Sequence, residues 1–570
     1  MNREYRIIYN RGYKIFICFI IFLSIILFYL WYLQIYNYDF FVKKSIANFT
    51  RFKTVNSIRG SIIDRKGFTL ASTEIFFQLL WNKKPYKLSE EDNKLLFFIE
   101  NSLGIKVSYD DLIKRNGLHT VIIENDFKFI HLSMLLENFP TSDRIIIKKC
   151  NKRIYPYNML ACHTIGYLNS IHQDGITGIE KICNENLEGV NGTEKVIVNS
   201  TGNIISSETV DESKAGRDIM VTLDYTMQSL LEQTITEDIS GCALIMEPDT
   251  GALRAVVSSP RFDPSLFLHK IDSDTWNNFS HNKNLLNRCF QALYPPGSIF
   301  KMVTAVALLE ENISNKYKTW FCNGAIEYKG RQYHCNLKKG HGEMNLRRAV
   351  CHSCNIPFYS VAMDNTIAID TLYKYASLLG LGKKTNSKFF EQQGIVPNSQ
   401  WKRDTYNEKW YTGETLSVTI GQGPTLVSPI QVARLMGAIM TGYLVKPRIL
   451  EEELIEKNYI PIHSETLAAI KEAISQGVKE GSSITLKSLS QWDIYAKTGT
   501  SQVCALPTEE NKNQEVIKER RHHGIIACYV KHKYKPINPF VLVLVLENIG
   551  TSRVAAAYAK KFLLEFQKTI

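Results

Sequence analysis

Ser298 and Lys301 open the run SIFKMVTAVALLEEN, directly after Tyr294-Pro295-Pro296-Gly297. Residues three apart share one face of a helix, so the lysine amine can reach the serine hydroxyl. Two prolines and a glycine end an extended loop, and a helix is expected to begin at the serine. Ile299, Phe300, Met302, Val303, Ala305, Val306, Leu308 and Leu309 leave Lys301 as the lone charge between Ser298 and Leu309 in an apolar helix, which implies burial. Burial disfavours the ammonium form and can bring a lysine down by several pKa units from about 10.4, far enough to serve as general base to a serine nucleophile. Ser280…Lys283 and Ser399…Lys402 have the same spacing, but neither opens an apolar helix. Ser298 is followed by Ser353-Cys354-Asn355 and then by Lys497-Thr498-Gly499-Thr500.

These residues need a scaffold. GCALIMEPDTGALRAVVSSP at 241–260 reads as two strands joined by a Pro248–Gly251 turn, and DIYAKTGTSQV, GIIACYV and PFVLVLVLEN return as strands late in the chain. Between them, about 298 to 480 is read as helical, and 552–568 as a C-terminal helix rich in alanine and lysine. The fold class expected is α+β: an antiparallel sheet packed by helices with an all-helical insertion, at 235–568. Residues 36–215 mix short β-rich runs and turns into a separate β-rich domain, with Arg65-Lys66-Gly67 as a hairpin turn and the boundary between about 210 and 235. Isolated His163, Asp174 and Glu180 there are read as structural, for want of convergent partners.

Ile15 to Leu33 is free of charge and would span about 29 Å as a helix, enough to cross a bilayer. Trp31, Tyr32, Tyr36 and Tyr38 crowd its far end, while Arg3, Arg6, Arg11 and Lys14 precede it, so residues 1–14 are expected in the cytoplasm and 15–35 in the membrane. No small-residue cleavage site comes after it, which favours an uncleaved anchor. The net charge of +12 is scattered, and no nucleic-acid-binding motif is present, so nucleic acid is not an expected partner.

The ordered triple resembles the penicillin-recognising serine acyltransferases, the superfamily of penicillin-binding proteins and serine β-lactamases. Arg59-Gly60-Ser61-Ile62-Ile63-Asp64-Arg65, Gly175–Glu180 and Asn287-Arg288 are similar to class B, monofunctional penicillin-binding proteins. EQQGIVPNSQWK at 391–402 and WYTGETLSVTIGQGP at 410–424 are most similar to their elongation branch, penicillin-binding protein 2. The resemblance implies a non-catalytic pedestal and a D,D-transpeptidase domain that takes peptidoglycan stem peptides and β-lactams. It also implies a SEDS-type glycan polymerase and other elongation proteins as partners, and an inner-membrane anchor with the catalytic domain in the periplasm. By resemblance Ser298 is the nucleophile, Lys301 its base, Ser353 a proton relay, Asn355 an amide donor, and Lys497, Thr498 and Thr500 the carboxylate site, with Gly499 leaving room for close approach. Backbone N–H groups of Ser298 and Thr500 would form the oxyanion hole. A β-lactamase is the alternative activity, but no ExxLN-like deacylating segment comes after Asn355. A membrane β-lactam sensor is another, and only about 14 residues precede the membrane segment.

Cys322, Cys335, His341 and Cys354 fall in a loop-rich, glycine-containing stretch and are the ligand types of tetrahedral Zn²⁺, although the spacing is not a paired C-x-x-C kind. Some proteins resembling penicillin-binding protein 2 hold zinc here with a carboxylate, His and Cys mixture, so a structural zinc is expected. Cys351, His334 and His352 are alternative ligands. A Cys322–Cys335 disulfide and plain buried thiols remain competing readings.

Overall fold

The computed structural model describes residues 3–83, 87–113, 120–140, 142–169, 173–199, 204–502 and 522–570. Cys504 lies outside the described residues. Met1–Ile58 with Glu188–Gly216 form one compact unit, and Arg59–Leu187 with Arg217–Ile570 the other.

In the first unit, the helix Arg3–Trp31 runs through a π turn, Tyr32–Tyr36, into the helix Tyr38–Phe49. Ile7–Tyr36 is long and apolar enough to cross a membrane, and none of its apolar stretch is buried against protein. Trp31, Tyr32 and Tyr36 cluster at its end, with the two tyrosine rings stacked 5.4 Å apart. The chain then enters an antiparallel sheet in which Thr50–Val55 pairs with Gly192–Val198, and that strand with Ile204–Asp211.

The second unit runs across the boundary expected near 210–235. Buried polar contacts tie its N-terminal part to the residues beyond that point: Asp64 closes its own turn by accepting from Lys66 N–H and Phe68 N–H, and its other oxygen accepts from Tyr225 N–H. Ala161 N–H donates to Glu232 in the same way. The strand Thr69–Asn82 carries a partner on each edge, Thr120–Phe127 and Ile145–Ile154, and the helices Glu90–Asn101 and Phe129–Asn138 bury Leu95, Leu96, Ile99 and Leu135 against Leu79 and Trp81.

The main sheet comprises β1 (Gly241–Met246), β2 (Leu253–Ser259), β3 (Trp492–Ser501), β4 (His523–His532) and β5 (Phe540–Leu546), in the order β2-β1-β5-β4-β3, all antiparallel. Every residue of β5 is buried, because alternate side chains enter two cores. Leu542, Leu544 and Leu546 pack with Phe562 and Phe566 of the C-terminal helix, whereas Val541, Val543 and Val545 join the core of the helical insertion. In that insertion lie α1 (Lys301–Glu311), α2 (Leu346–His352), α3 (Pro429–Thr441) and α4 (Ser464–Lys479). The insertion is not all-helical. Thr319–Cys322 pairs with Gly342–Asn345, Ala325–Tyr328 with Arg331–His334, and Tyr443–Val445 with Lys457–Tyr459. Strands this short give too little alternation for a sequence pattern to register. Edge strand β3 is left with one side of its ladder open, which positions the site.

Candidate active site

Lys301 begins α1 fully buried, as its apolar neighbours require. Ser298 sits just before it in a 3₁₀ turn, Gly297–Ile299, so the regular α-helix starts three residues later than expected. The Lys301 amine donates to the Ser353 carbonyl at 2.6 Å and to Asn355 Oδ1 at 2.6 Å, and stands 3.4 Å from Ser353 Oγ. An uncharged amine has two N–H bonds, and these two acceptors occupy both. Its lone pair is thereby left free to take a proton, as a base requires.

Ser353 can present both its carbonyl and its hydroxyl because α2 ends there. Cys354 N–H returns to Ala349 O and Ser353 N–H to Val350 O, a closure that puts Ser353 in the left-handed region at φ 57°. The same hydroxyl accepts from Lys497 Nζ at 3.0 Å, so it bridges two buried lysines. Asn355 is held by its amide, which donates to His334 O at 2.8 Å and to the Tyr359 hydroxyl at 3.4 Å.

Lys497 and Gly499 share one face of β3, while Thr498 and Thr500 alternate to the other, where Thr500 Oγ1 lies 3.4 Å from Ser552 Oγ. Main-chain groups tell more. Thr500 O accepts from Gln422 Nε2 at 3.0 Å and Thr498 O from Lys497 Nζ, so both carbonyls point away from β4 toward the open edge. In an antiparallel pair a residue's N–H and C=O face the same way, so Thr500 N–H also faces that edge. Gly297 brings the serine turn against it: a Cβ on Gly297 would sit 2.5 Å from Thr500 O, and one on Gly499 2.6 Å from Pro296 O. Two bare glycines therefore set Ser298 beside the Thr500 amide.

Burial pushes Lys301 down to about 8, partly opposed by the nearby cysteines Cys354 and Cys335. Lys497 is also held well below the usual lysine range, first by burial and then by Lys301. The base is the unprotonated form, so its fraction rises as pH rises through about 8. Acylation by a fluorescent penicillin is expected to accelerate about tenfold per pH unit below that value and level off above it. A rate that is flat or falls from pH 6 to 8 in stopped-flow labelling contradicts Lys301 as base.

Beside Asn355, the ligand atoms of Cys322, Cys335, His341 and Cys354 all lie within 4.8 Å of one another, and the three cysteines are free thiols. Cys335 Sγ is 3.7 Å from Cys354 Sγ, and His341 Nδ1 is 3.4 Å from Cys335 and 3.6 Å from Cys322. A tetrahedral zinc with bonds near 2.3 Å to sulfur and 2.0–2.1 Å to nitrogen spaces its ligands about 3.8 Å (S to S) and about 3.6 Å (S to N). The residues fit. Cys335 is held down to about 4, since the Cys354 thiol and the N–H groups of Leu337 and Asn355 stabilise its thiolate, and Cys354 is correspondingly pushed up. Of the alternative ligands, His334 lends only its carbonyl to Asn355, and Cys351 and His352 fall in a different group with Glu480.

The penicillin-binding protein transpeptidase domain family matches residues 241–564. The chain belongs to this family. The penicillin-binding protein dimerisation domain family matches residues 54–221. Among curated relatives, the peptidoglycan D,D-transpeptidase MrdA of Salmonella typhimurium is 28% identical, over 96% of this chain and 93% of its own length. The MrdA of Escherichia coli K12 is 27% identical over 94% and 90%. Among solved structures, the penicillin-binding protein PBP2 of Helicobacter pylori, in complex with MreC, superposes with a TM-score of 0.74 at 26% identity, over 91% of this chain and 99% of that one. A chain from a peptidoglycan synthase complex that coordinates polymerisation and crosslinking gives 0.75 at 26%, over 97% of both.

In this penicillin-binding protein the two decoy lysines are structural. Lys402 pairs with Glu414 and Glu408, and Lys283 ends a helix in the left-handed conformation. Sequence reasoning does not single out Gly421 and Gln422 as site residues. Gly421 O accepts from Gly297 N–H at 2.9 Å, and a Cβ at Gly421 would meet Gly297 O at 2.2 Å. Their signal lies in the IGQG glycines, which permit that approach.

Proposed function

We propose that this chain cross-links peptidoglycan stem peptides through an acyl-enzyme on Ser298 during cell-wall elongation. The observation that carries the reading is the buried Lys301 amine, which donates to Ser353 O and Asn355 Oδ1 and stands 3.4 Å from Ser353 Oγ, together with an edge strand whose backbone is open. A stem peptide or a β-lactam adds along β3, Lys497 faces its terminal carboxylate, and the scissile carbonyl oxygen enters between Ser298 N–H and Thr500 N–H. Lys301 takes the Ser298 proton as the hydroxyl attacks. Ser353, bonded to both lysines, gives its proton to the leaving D-alanine nitrogen and takes up the one that Lys301 carries, and Asn355 holds the donor peptide's amide. The acceptor amine of a second stem then attacks the acyl-enzyme and Ser298 regains its proton. Incubating the full-length protein with nascent strands from a glycan polymerase is expected to yield muropeptide dimers that penicillin prevents. Rapid release of hydrolysed penicillin without dimers would favour the β-lactamase.

The apolar helix supports a single-pass anchor in the cell inner membrane, with the N-terminus cytoplasmic and the catalytic domain periplasmic. Similarity to a PBP2 solved with MreC and to a synthase complex supports elongation-complex partners, among them a SEDS-type polymerase.

The ligand spacing supports a structural zinc held by Cys322, Cys335, His341 and Cys354, which would tie the preceding ribbons to Asn355 and Ser353. Such an ion supplies cross-linking, not reaction chemistry. Elemental analysis is expected to find about one zinc per chain. Chelation, or Cys322→Ser, is expected to lower stability by several kcal/mol and slow acylation. Metal-free protein with Cys322 and Cys335 joined in a non-reducing peptide map would assign the disulfide instead.

A further inference from the structure

The residues that drop out of the first cluster converge on their own. Cys351 Sγ, a His352 ring nitrogen and a Glu480 carboxylate oxygen lie within 4.8 Å of one another. We propose that they form a second metal site, for a divalent cation of the zinc class, distinct from the Cys322 cluster and open to solvent on the Glu480 side.

Three features of the fold build it. First, two helix C-termini meet there: α2 ends at His352 and α4 at Lys479, with Glu480 as its cap. The carbonyl ends of helices carry partial negative charge and favour a cation. Second, the 480–481 turn is pinned against Cys351. Ser482 N–H donates to Cys351 O at 3.1 Å, and a Cβ on Gly481 would meet that carbonyl at 2.3 Å and Cys351 Sγ at 2.9 Å. No other residue type fits at 481 without moving the turn that carries Glu480. Third, the access is graded: Cys351 is buried, His352 half-buried and Glu480 exposed, so an ion can enter from the carboxylate and meet the thiol last. An ion bonded at about 2.0–2.3 Å holds its ligands within about 4 Å of one another, so closing the site takes movement of under about 1 Å, within reach of an exposed glutamate. Arg347, Arg348 and Lys497 are the cations facing the Cys351 thiol and oppose the ion. Three protein ligands against those charges make the site weaker than the four-ligand cluster, with one position left to water.

The His341 and His352 rings stand 6.2 Å apart, so the two sites are neighbours and their occupancies must be separated by experiment. Full-length protein stripped by chelator is titrated with Co²⁺, whose thiolate charge-transfer absorption reports cysteine ligation. The expected result is two equivalents, the second weaker and contributing the absorption of one thiolate. Cys351→Ser removes the thiolate band of the second equivalent, and Glu480→Gln, on an exposed side chain, weakens that equivalent at least about tenfold while leaving the first intact. Cys322→Ser weakens the first equivalent and leaves the second, which separates failure of the zinc cluster from failure of this site. Saturation at one equivalent in the unaltered protein overturns the proposal. So does a second equivalent that is insensitive to both Cys351→Ser and Glu480→Gln, or one that disappears with Cys322→Ser.

Discussion

Full-length protein carrying Ser298→Ala takes up no covalent label from a fluorescent penicillin, and protein carrying Lys301→Met takes it up about 10²- to 10⁴-fold more slowly. The first outcome is expected because the serine turn is the place where a hydroxyl, an open-edge backbone amide at Thr500 and a buried amine converge. The second rests on a balance of two effects. Methionine removes the donor to Ser353 O and Asn355 Oδ1, and each buried acceptor left without a partner costs about 1–3 kcal/mol. Against this, the variant no longer has to desolvate an amine in an apolar core, and methionine fills a similar volume. Thermal unfolding is therefore expected to shift little while the rate falls steeply. Labelling of Ser280 or Ser399 in the Ser298→Ala protein, or an unchanged rate with Lys301→Met, would overturn the assignment of nucleophile and base.

The parts of the site legible in the sequence are those where residue type and local period suffice. Ser298 and Lys301 are one turn apart, and the surrounding apolar run announces the burial that brings the lysine down. The strands β1, β4 and β5 are legible because each contains an apolar run of five residues or longer. What escaped depends on tertiary contact. Nothing in Ser353-Cys354-Asn355 announces that the Ser353 carbonyl, set by a left-handed helix end, is one of the strongest contacts to Lys301. Gly421, Gly297 and Gly499 matter because main chain passes within a Cβ radius of them, which no local pattern encodes. The four-residue ribbons around Cys322 and Cys335 fail to register for want of length, so the stretch reads as loop.

Glu180 illustrates the same boundary, and its replacement is expected to have the largest effect on stability. The sequence reading treats it as structural because it lacks partners; it is structural because it has them. Fully buried, it accepts from Arg59 Nε and from Arg153 Nε, both at 2.8 Å, one guanidinium on each carboxylate oxygen. Each arginine also grips main chain, Arg59 at Glu180 O and Arg153 at Gly60 O, so the RGSIIDR segment, the Ile145–Ile154 strand and the GITGIE turn meet at one carboxylate. One anion between two cations leaves a surplus positive charge even in the native protein. Glu180→Gln removes the sole carboxylate of the cluster and buries two guanidinium groups without a counter-charge. Breaking a buried ion pair from one side costs about 3–5 kcal/mol, whereas replacing a whole cluster with apolar groups can be neutral. Chemical denaturation of the full-length protein is therefore expected to lose about that amount with Glu180→Gln. Triple replacement of Arg59, Arg153 and Glu180 by apolar residues is expected to recover part of it. Because the cluster lies outside the contacts of Ser298, Lys301 and Lys497, the protein that remains folded should be acylated at the unaltered rate. A Glu180→Gln protein as stable as the original would show that the carboxylate charge does not hold this core together.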